Sequence, residues 1–374
     1  YRLIFHMNIL LIEPYFTGSH KSWAKELKNH SNHKIDLLTM KGQFWKWRMH
    51  GGAVTLANHF LQSDSKPDLI LATDMLDFST FLSLTRQKTA HIPTALYFHE
   101  NQLSYPWSPT DRDVKENRNK HYGFINFTSA LSSDNVLFNS HYQLESFLKE
   151  STLLLKHFPD YNELDSIRKI QDKSQTLHIG MDLKQFDSYQ TVNNGPPLIL
   201  WNHRWEYDKN PELFFKTLFQ LKKDGFDFNL AVLGENFKAT PSIFDEAQKR
   251  LNENIVHFGY CESFSEYAEW VWKADILPVT NIQDFFGISI MEAMYCNVYP
   301  LLPHRLTYPE LLPKSFHKNH IYKDNLDLLE KLKEYISNIN ENRGMEFRRI
   351  AQPFDWDTMA PAYDNLFNKL TSNP

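Results

Sequence analysis

Short apolar runs alternate with amphipathic stretches along nearly the whole chain. Residues 8–15 (NILLIEPY), 34–40, 67–74, 93–100, 135–140 and 175–180 read as strands, and most are continuous apolar runs. Such runs suit parallel strands covered on both faces. Helical patterns fall between them. In SHKSWAKELKNH, for example, Trp23 and Leu27 stand four residues apart, on one helical face. The rhythm breaks at residues 183–197, where Asn-Asn-Gly-Pro-Pro is a strong loop signal. It then restarts with PLILWNHR, FNLAVLGE, NIVHFGY, ADILPVT, VYPLLPH and HIYKD. The first helix of this second half is well marked: Asn210 as N-cap, Pro211 at the first position and Gly225 past the end.

The pattern predicts an α/β protein with two Rossmann-like, doubly wound domains facing a central cleft. Residues 7–182 form the first domain, 183–197 a linker and 198–352 the second domain. Residues 353–374 are expected to form a helix packing back on the first domain. The length of 374 residues fits two domains. Met7 reads as the natural start, with Tyr1 to His6 upstream of it. In open α/β sheets, ligands bind beyond the carboxyl ends of the strands, which directs attention to the loops there.

Composition narrows the classes. Two cysteines, Cys261 and Cys296, make no disulfide framework and fit a reducing compartment, hence the cytoplasm. No window reaches the ~18 apolar residues of a membrane span. A net charge of −5 excludes wholesale coating of nucleic acid, so any RNA or phosphate must be met by local basic patches.

Several loops carry candidate chemistry. DFFGISIMEAMYC (284–296) places Asp284 in a loop and Glu292 about a turn and a half into a helix that begins near Gly287. Backbone N–H groups of Gly287, Ile288 and Ser289 at a helix start suit an anion. The two acids either accept hydrogen bonds from sugar hydroxyls or serve as a helix cap and a solvated-face Glu. In WNHRWEYDKNPE, Arg204 and Lys209 either clamp a diphosphate or pair with Glu206 and Asp208. In YFHENQLSYP, His99, Glu100 and Asn101 follow a strand. His99 either meets a sugar hydroxyl or is satisfied by a loop carbonyl. Gly18 and Ser19 in YFTGSHKSW open a helix after the first strand, but they form no G-x-G-x-x-G. That, with no Walker loop, HExxH or CxxC, argues against a nicotinamide oxidoreductase. Asp355–Trp–Asp357 reads as helix capping rather than a metal pair.

Two basic clusters remain. KGQFWKWRMH holds Lys41, Trp45, Lys46, Trp47, Arg48 and His50. RDVKENRNKH holds Arg112, Lys115, Arg118, Lys120 and His121. Aromatics interleaved with cations can stack on unpaired bases. The second cluster also reads as a solvated helix face, interrupted by Asp113 and Glu116.

These segments carry a resemblance. DFFGISIMEA is similar to the E-x7-E motif of retaining two-domain (GT-B) glycosyltransferases of family 4, and HRWEYDK to their diphosphate clamp. GMDLKQF resembles the segment that ends their first domain. More narrowly, GSHKSW, FWKWR, YFHENQLSYP, VLFNSHYQLESF, HRWEYDKNPELFF, VLGENF, FFGISIMEAMYC, YPLLPHRLTYPELLP and PFDW resemble, in order, the tRNA-queuosine mannosyltransferase family. The resemblance implies retaining transfer of mannose from GDP-mannose to queuosine in a tRNA anticodon, without a metal. It assigns Arg204, Lys209 and the backbone of Gly287, Ile288 and Ser289 to the donor diphosphate. Glu292 falls to the ribose, Asp284 to the transferred sugar and His99 beside the reacting centre. Gly18, Ser19, His20 and Asn101 fall on the acceptor side, with Trp45, Trp47 and Arg48 toward the RNA. Tyr260, after HFG, is a candidate base contact. One departure stands out: the first acid is Asp284 rather than Glu, one methylene shorter. Two other readings remain: the same enzyme with a lipid or glycan acceptor, and an RNA-binding relative with a decayed transferase site. No amphipathic basic helix supports the lipid acceptor, and intact Arg204, Lys209 and Glu292 oppose the decayed site.

Overall fold

The structure is a computed structural model that describes residues 6–107, 111–115, 120–234 and 241–372. The chain divides into two compact units. One is formed by residues up to Met181 together with those from Trp356 on, and the other by Asp182–Asp355.

The first unit holds a parallel sheet of β1 (Asn8–Phe16), β2 (Lys34–Lys41), β3 (Leu69–Thr73), β4 (Thr94–Phe98), β5 (Asn135–Phe138) and β6 (Ser174–Thr176), in the order β2-β1-β3-β4-β5-β6. Every residue of β3 and β4 is buried, which explains their unbroken apolar sequence. The order reverses direction between β1 and β3, the flavodoxin-like arrangement whose ligand site lies at that switch point. The core joins sheet residues such as Ile12, Ile70 and Leu96 to Phe60, Phe81 and Phe147 from the covering helices.

The helix Trp356–Ser372 completes this unit. Tyr363 accepts from Trp23 Nε1 at 3.1 Å and donates to the carbonyl of His178 at 2.9 Å. Asp364 takes the Ser31 hydroxyl and the Asn32 amide. Asp355, just before the helix, caps a different segment: its Oδ2 accepts from the amides of Leu183 and Lys184.

The second unit repeats the architecture with β7 (Leu198–Trp201), β8 (Asn229–Val232), β9 (Ile255–Phe258), β10 (Ile276–Pro278), β11 (Tyr299–Pro303) and β12 (Ile321–Tyr322). Their order, β12-β11-β10-β7-β8-β9, is the Rossmann order, with its switch point between β7 and β10. Asn210 caps the helix Pro211–Lys223 from a left-handed conformation, and Gly225 follows it at φ 84°. Residues 183–197, expected as a linker, are integral to this unit. The 3-10 turn Lys184–Tyr189 buries Phe186, whose carbonyl accepts from Trp272 Nε1 at 2.7 Å. No described helix is long and apolar enough to cross a membrane.

Candidate functional sites at the two switch points

In the second unit, the loops after β7 and β10 meet. The β10 loop carries Asp284 and ends at Gly287, whose φ of 98° turns the chain into the helix Ile288–Tyr295. The amides of Ile290 and Met291 both close on the Gly287 carbonyl. Those of Ile288 and Ser289 donate to no described residue, so they are open at a positive helix end. Two contacts from outside the loop fix it. Arg305 donates to the carbonyls of Thr280 and Asn281, and the Tyr308 hydroxyl donates to Asp284 at 3.2 Å.

The β7 loop brings the cations. Lys209 is nearly buried, donating to the Gln283 carbonyl at 3.1 Å and pairing with Asp208 at 3.2 Å. Arg204 is half-exposed and pairs with Glu206 at 3.1 Å. The neighbour pairings that the sequence offered as the alternative to a clamp are therefore present. The Arg204 pair is exposed and can exchange its partner, since such pairs contribute only about 0–1 kcal/mol, whereas the Lys209 pair is buried and holds Asp208 in place. Between the cations sits His203. Burial first, then the charges of Lys209 and Arg204, push its imidazole down to about 3, so it is neutral. Its Nδ1 lies 3.1 Å from the Ser289 hydroxyl. Glu292 accepts from Tyr267 at 2.6 Å, and Asn202 links Tyr267 to the Ser289 carbonyl. Tyr267 also lines a cavity of about 290 Å³ with Gly234, Phe264 and the 60% exposed Tyr260.

In the first unit, the loops after β1, β3 and β4 converge. Gly18 (φ 49°) and the exposed Ser19 begin the helix Gly18–His30, which carries His20 inward. His20 Nδ1 lies 2.9 Å from the fully buried Glu13 carboxylate, and its ring lies 4.4 Å from that of His99. Burial alone would lower His20. Glu13 chiefly, with Asp74 and Glu100, reverses this and raises it to about 9. Burial and the charge of His20 hold His99 well below the ordinary imidazole range, hence neutral. The His99 amide donates to Asp74 at 2.8 Å, and Asn139 donates to the His99 carbonyl. Burial pushes the Asp74 carboxyl well up, against the pull of His20. Asn101 is buried and caps its own turn through Ser104 N. Glu13, Asp74, Asn139 and Tyr267 were not singled out from sequence. An acid inside an apolar strand, as Glu13 is, is costly unless paired, and that was the available signal.

A shared property marks both places. Buried polar atoms without hydrogen-bond partners gather at these loops: Asp74 Oδ2, His99 Nε2, Asn101 Nδ2 and Asn139 Oδ1 in one unit, and Asn202 Oδ1, His203 Nε2, Asn281 Oδ1 and Gln283 Nε2 in the other. Buried polar atoms are normally satisfied, so such clusters mark where a ligand or ordered water belongs.

Among the described residues, two groups offer metal-type ligands within 4.8 Å of one another: Glu13, His20 and His99, and His257, Cys261 and Glu266. In the first, His20 Nδ1 faces Glu13 as an ion pair. In the second, burial pushes the Cys261 thiol up to about 11, so it is protonated near neutral pH.

The basic cluster splits. Trp45 turns inward onto Trp107 and Tyr122, and Lys46 is held by Asp111 and Asp113. Trp47 is 61% exposed and Arg48 half-buried, its Nε donating to the Lys41 carbonyl at 3.0 Å. In the second cluster Asp113 also accepts from Tyr122, while Arg118 lies outside the described residues.

Residues 8–181 match the family described as tRNA-queuosine alpha-mannosyltransferase N-terminal, and residues 184–350 match glycosyl transferases group 1. A tRNA-queuosine alpha-mannosyltransferase of Drosophila melanogaster is 32% identical over 379 residues, covering 97% of each chain. Among solved structures, sucrose-phosphate synthase from Thermosynechococcus elongatus is similar, with TM-score 0.72 at 13% identity over 99% of this chain and 100% of that one. Anabaena HepE in complex with UDP and glucose gives a TM-score of 0.67 at 14% identity, over 97% of this chain and 100% of that one. At such identities the likeness shows the fold alone, GT-B.

Proposed function

Because the chain belongs to the tRNA-queuosine alpha-mannosyltransferase family, we propose that this glycosyltransferase moves mannose from GDP-mannose to a cyclopentene hydroxyl of queuosine in a tRNA anticodon, in the cytoplasm. One observation carries the donor half of this reading. Two cations, two open amides and a set of unpartnered buried polar atoms converge at the switch point of the second unit.

The donor diphosphate lies on the backbone of Gly287, Ile288 and Ser289; Arg204 leaves Glu206 to meet it, and Lys209 adds its charge from its place beside Asp208. Glu292, oriented by Tyr267, accepts from the ribose hydroxyls, and Tyr260 flanks the base. Asp284 accepts from hydroxyls of the transferred sugar. Its shorter side chain is compensated by a loop pinned through Arg305 and Tyr308. On the acceptor side stand Gly18, Ser19, His20 and Asn101. His99, neutral with an open Nε2, is the residue of the first unit that the family resemblance assigns to the transferred sugar.

The acceptor oxygen forms its bond to the anomeric carbon on the face from which the diphosphate departs, so configuration is retained. The hydroxyl proton passes to the leaving phosphate oxygen. Stabilising that oxygen is the main task, and fixed donors and cations do so without a metal in this reading.

Purified protein, GDP-mannose and tRNA-Asp with or without queuosine, followed by nucleoside mass spectrometry, test the reading. A hexose gained only on queuosine supports it. No transfer, with thermal stabilisation by a UDP or ADP sugar instead, would overturn the donor and acceptor and leave only the glycosyltransferase.

A further inference from the structure

At the start of the helix Trp45–Gln62, two large aromatic groups stand in solvent: the N-cap Phe44 is 76% exposed and Trp47, in the first turn, is 61% exposed. Scattered exposed apolar residues are ordinary. Three features set this pair apart.

The backbone at Phe44 is left-handed, φ 55° and ψ 56°, a conformation that bulky residues rarely adopt. Phe44 occupies the N-cap of the helix, yet its side chain makes no capping bond. A Ser, Asn or Gly would serve the turn better, so stability does not account for the phenyl ring.

Trp47 is laid along its helix. A methyl group on Gly51 would stand 2.3 Å from Cζ2 of the indole. Glycine weakens a helix interior. Here it makes the shelf on which one indole face rests, leaving the other face open.

The turn carrying Phe44 also rests on the acceptor loop. A methyl group on Gly42 would stand 2.3 Å from the Thr17 side chain, which immediately precedes Gly18, Ser19 and His20. Lys41 pairs with Phe16 in the sheet register. Arg48 is fixed through its Nε to the Lys41 carbonyl. Lys46 is not part of this face, since Asp111 and Asp113 hold it.

We propose that Phe44 and Trp47 form a stacking platform for an unpaired RNA base adjacent to the nucleotide that enters the Gly18–His20 loop, with Lys41 and Arg48 meeting the phosphates beside it. Flat aromatic faces flanked by cations suit a single strand, because every base has a face to stack and every nucleotide a charge to neutralise. A paired helix offers no such free base face. The proposal rests on the tRNA reading above and adds how the loop around the modified nucleotide is held.

The test uses the full chain and a fluorescently labelled anticodon stem-loop RNA, with binding read by anisotropy and GDP affinity by calorimetry. F44A/W47A is expected to weaken RNA binding about tenfold or more, with GDP affinity and melting temperature unchanged. The aromatic replacement F44Y/W47F should restore binding. Phe44→Gly is expected to leave the melting temperature unchanged or raise it, because it relieves the left-handed strain. Stem-loop binding by F44A/W47A equal to that of wild type would overturn the platform and leave the tRNA reading standing. Absence of stem-loop binding by the wild-type chain, with GDP still bound, would overturn both. A lowered melting temperature in both F44A/W47A and Phe44→Gly would assign the pair a structural role and also overturn the platform.

Discussion

At the scale of single residues, the donor site proposed above depends on cations that already have partners. Arg204 is half-exposed against Glu206, so removing it costs the fold almost nothing. Its value appears only when a diphosphate replaces the carboxylate and accepts charge-assisted hydrogen bonds. Arg204→Ala is therefore expected to weaken GDP binding by about 1.5 to 3 kcal/mol while leaving thermal stability unchanged. Calorimetric titration together with a melting curve checks both. Equal GDP affinity in the variant would leave Arg204 as a surface pair with Glu206 and nothing more. Lys209 differs in kind, being nearly buried and tied to the Gln283 carbonyl. It joins the β7 loop to the β10 loop whether or not a ligand is present.

At the scale of elements, the start of the Ile288–Tyr295 helix is the part least tolerant of change. Gly287 is left-handed at φ 98°, and a Cβ there would meet Ile290 Cδ1 at 3.1 Å and Leu311 Cδ1 at 3.4 Å. Gly287→Ala is expected to destabilise the protein by about 1–3 kcal/mol through backbone strain. It should also weaken GDP binding, because the amides of Ile288 and Ser289 shift with the turn. An unfolding midpoint and a GDP titration both matching wild type would remove the constraint assigned to this turn. The helix start was legible in sequence because a glycine at a strand-to-helix junction permits the turn, while the spacing of the two acids left a helix cap and a solvated-face Glu open beside a ligand role. The strands were legible for an equally physical reason: parallel strands buried on both faces read as apolar runs. The order of those strands was not, because apolar content says nothing about which neighbour a strand pairs with. Nor was the pairing of Tyr267 with Glu292, which lie 25 residues apart and meet only once the β9 and β10 crossovers are built. The inward turn of Trp45 did leave a signal. It stands four residues before the buried Met49, on the stripe continued by Ala53, Leu56 and Phe60.

For the whole molecule, the C-terminal helix makes the first unit discontinuous in sequence. Trp356 is almost fully buried and stacks on His30 with ring centroids 5.8 Å apart. Trp356→Ala is expected to destabilise by about 3–5 kcal/mol. Denaturant unfolding reads this directly, and a change below about 1 kcal/mol would mean that the first unit does not need the helix.

The same unit carries a buried charge whose pH dependence has a definite sign. His20 faces Glu13, Asp74 and Glu100, against Tyr15 and the neutral His99. Its folded value of about 9 exceeds its unfolded 6.5. The protonated form is thus favoured by folding, and its stabilisation is complete below pH 6.5. As pH rises toward 9 the folded state must release that proton, and the contribution disappears. Glu13→Gln removes the main source of the raised value, so its melting temperature should fall less than that of wild type between pH 6.5 and 9. Parallel curves for the two proteins across that range would mean that His20 does not titrate there. Glu13 and His20 would then keep one protonation state across that range, and the loop proposed for the acceptor would carry no charge that changes with pH.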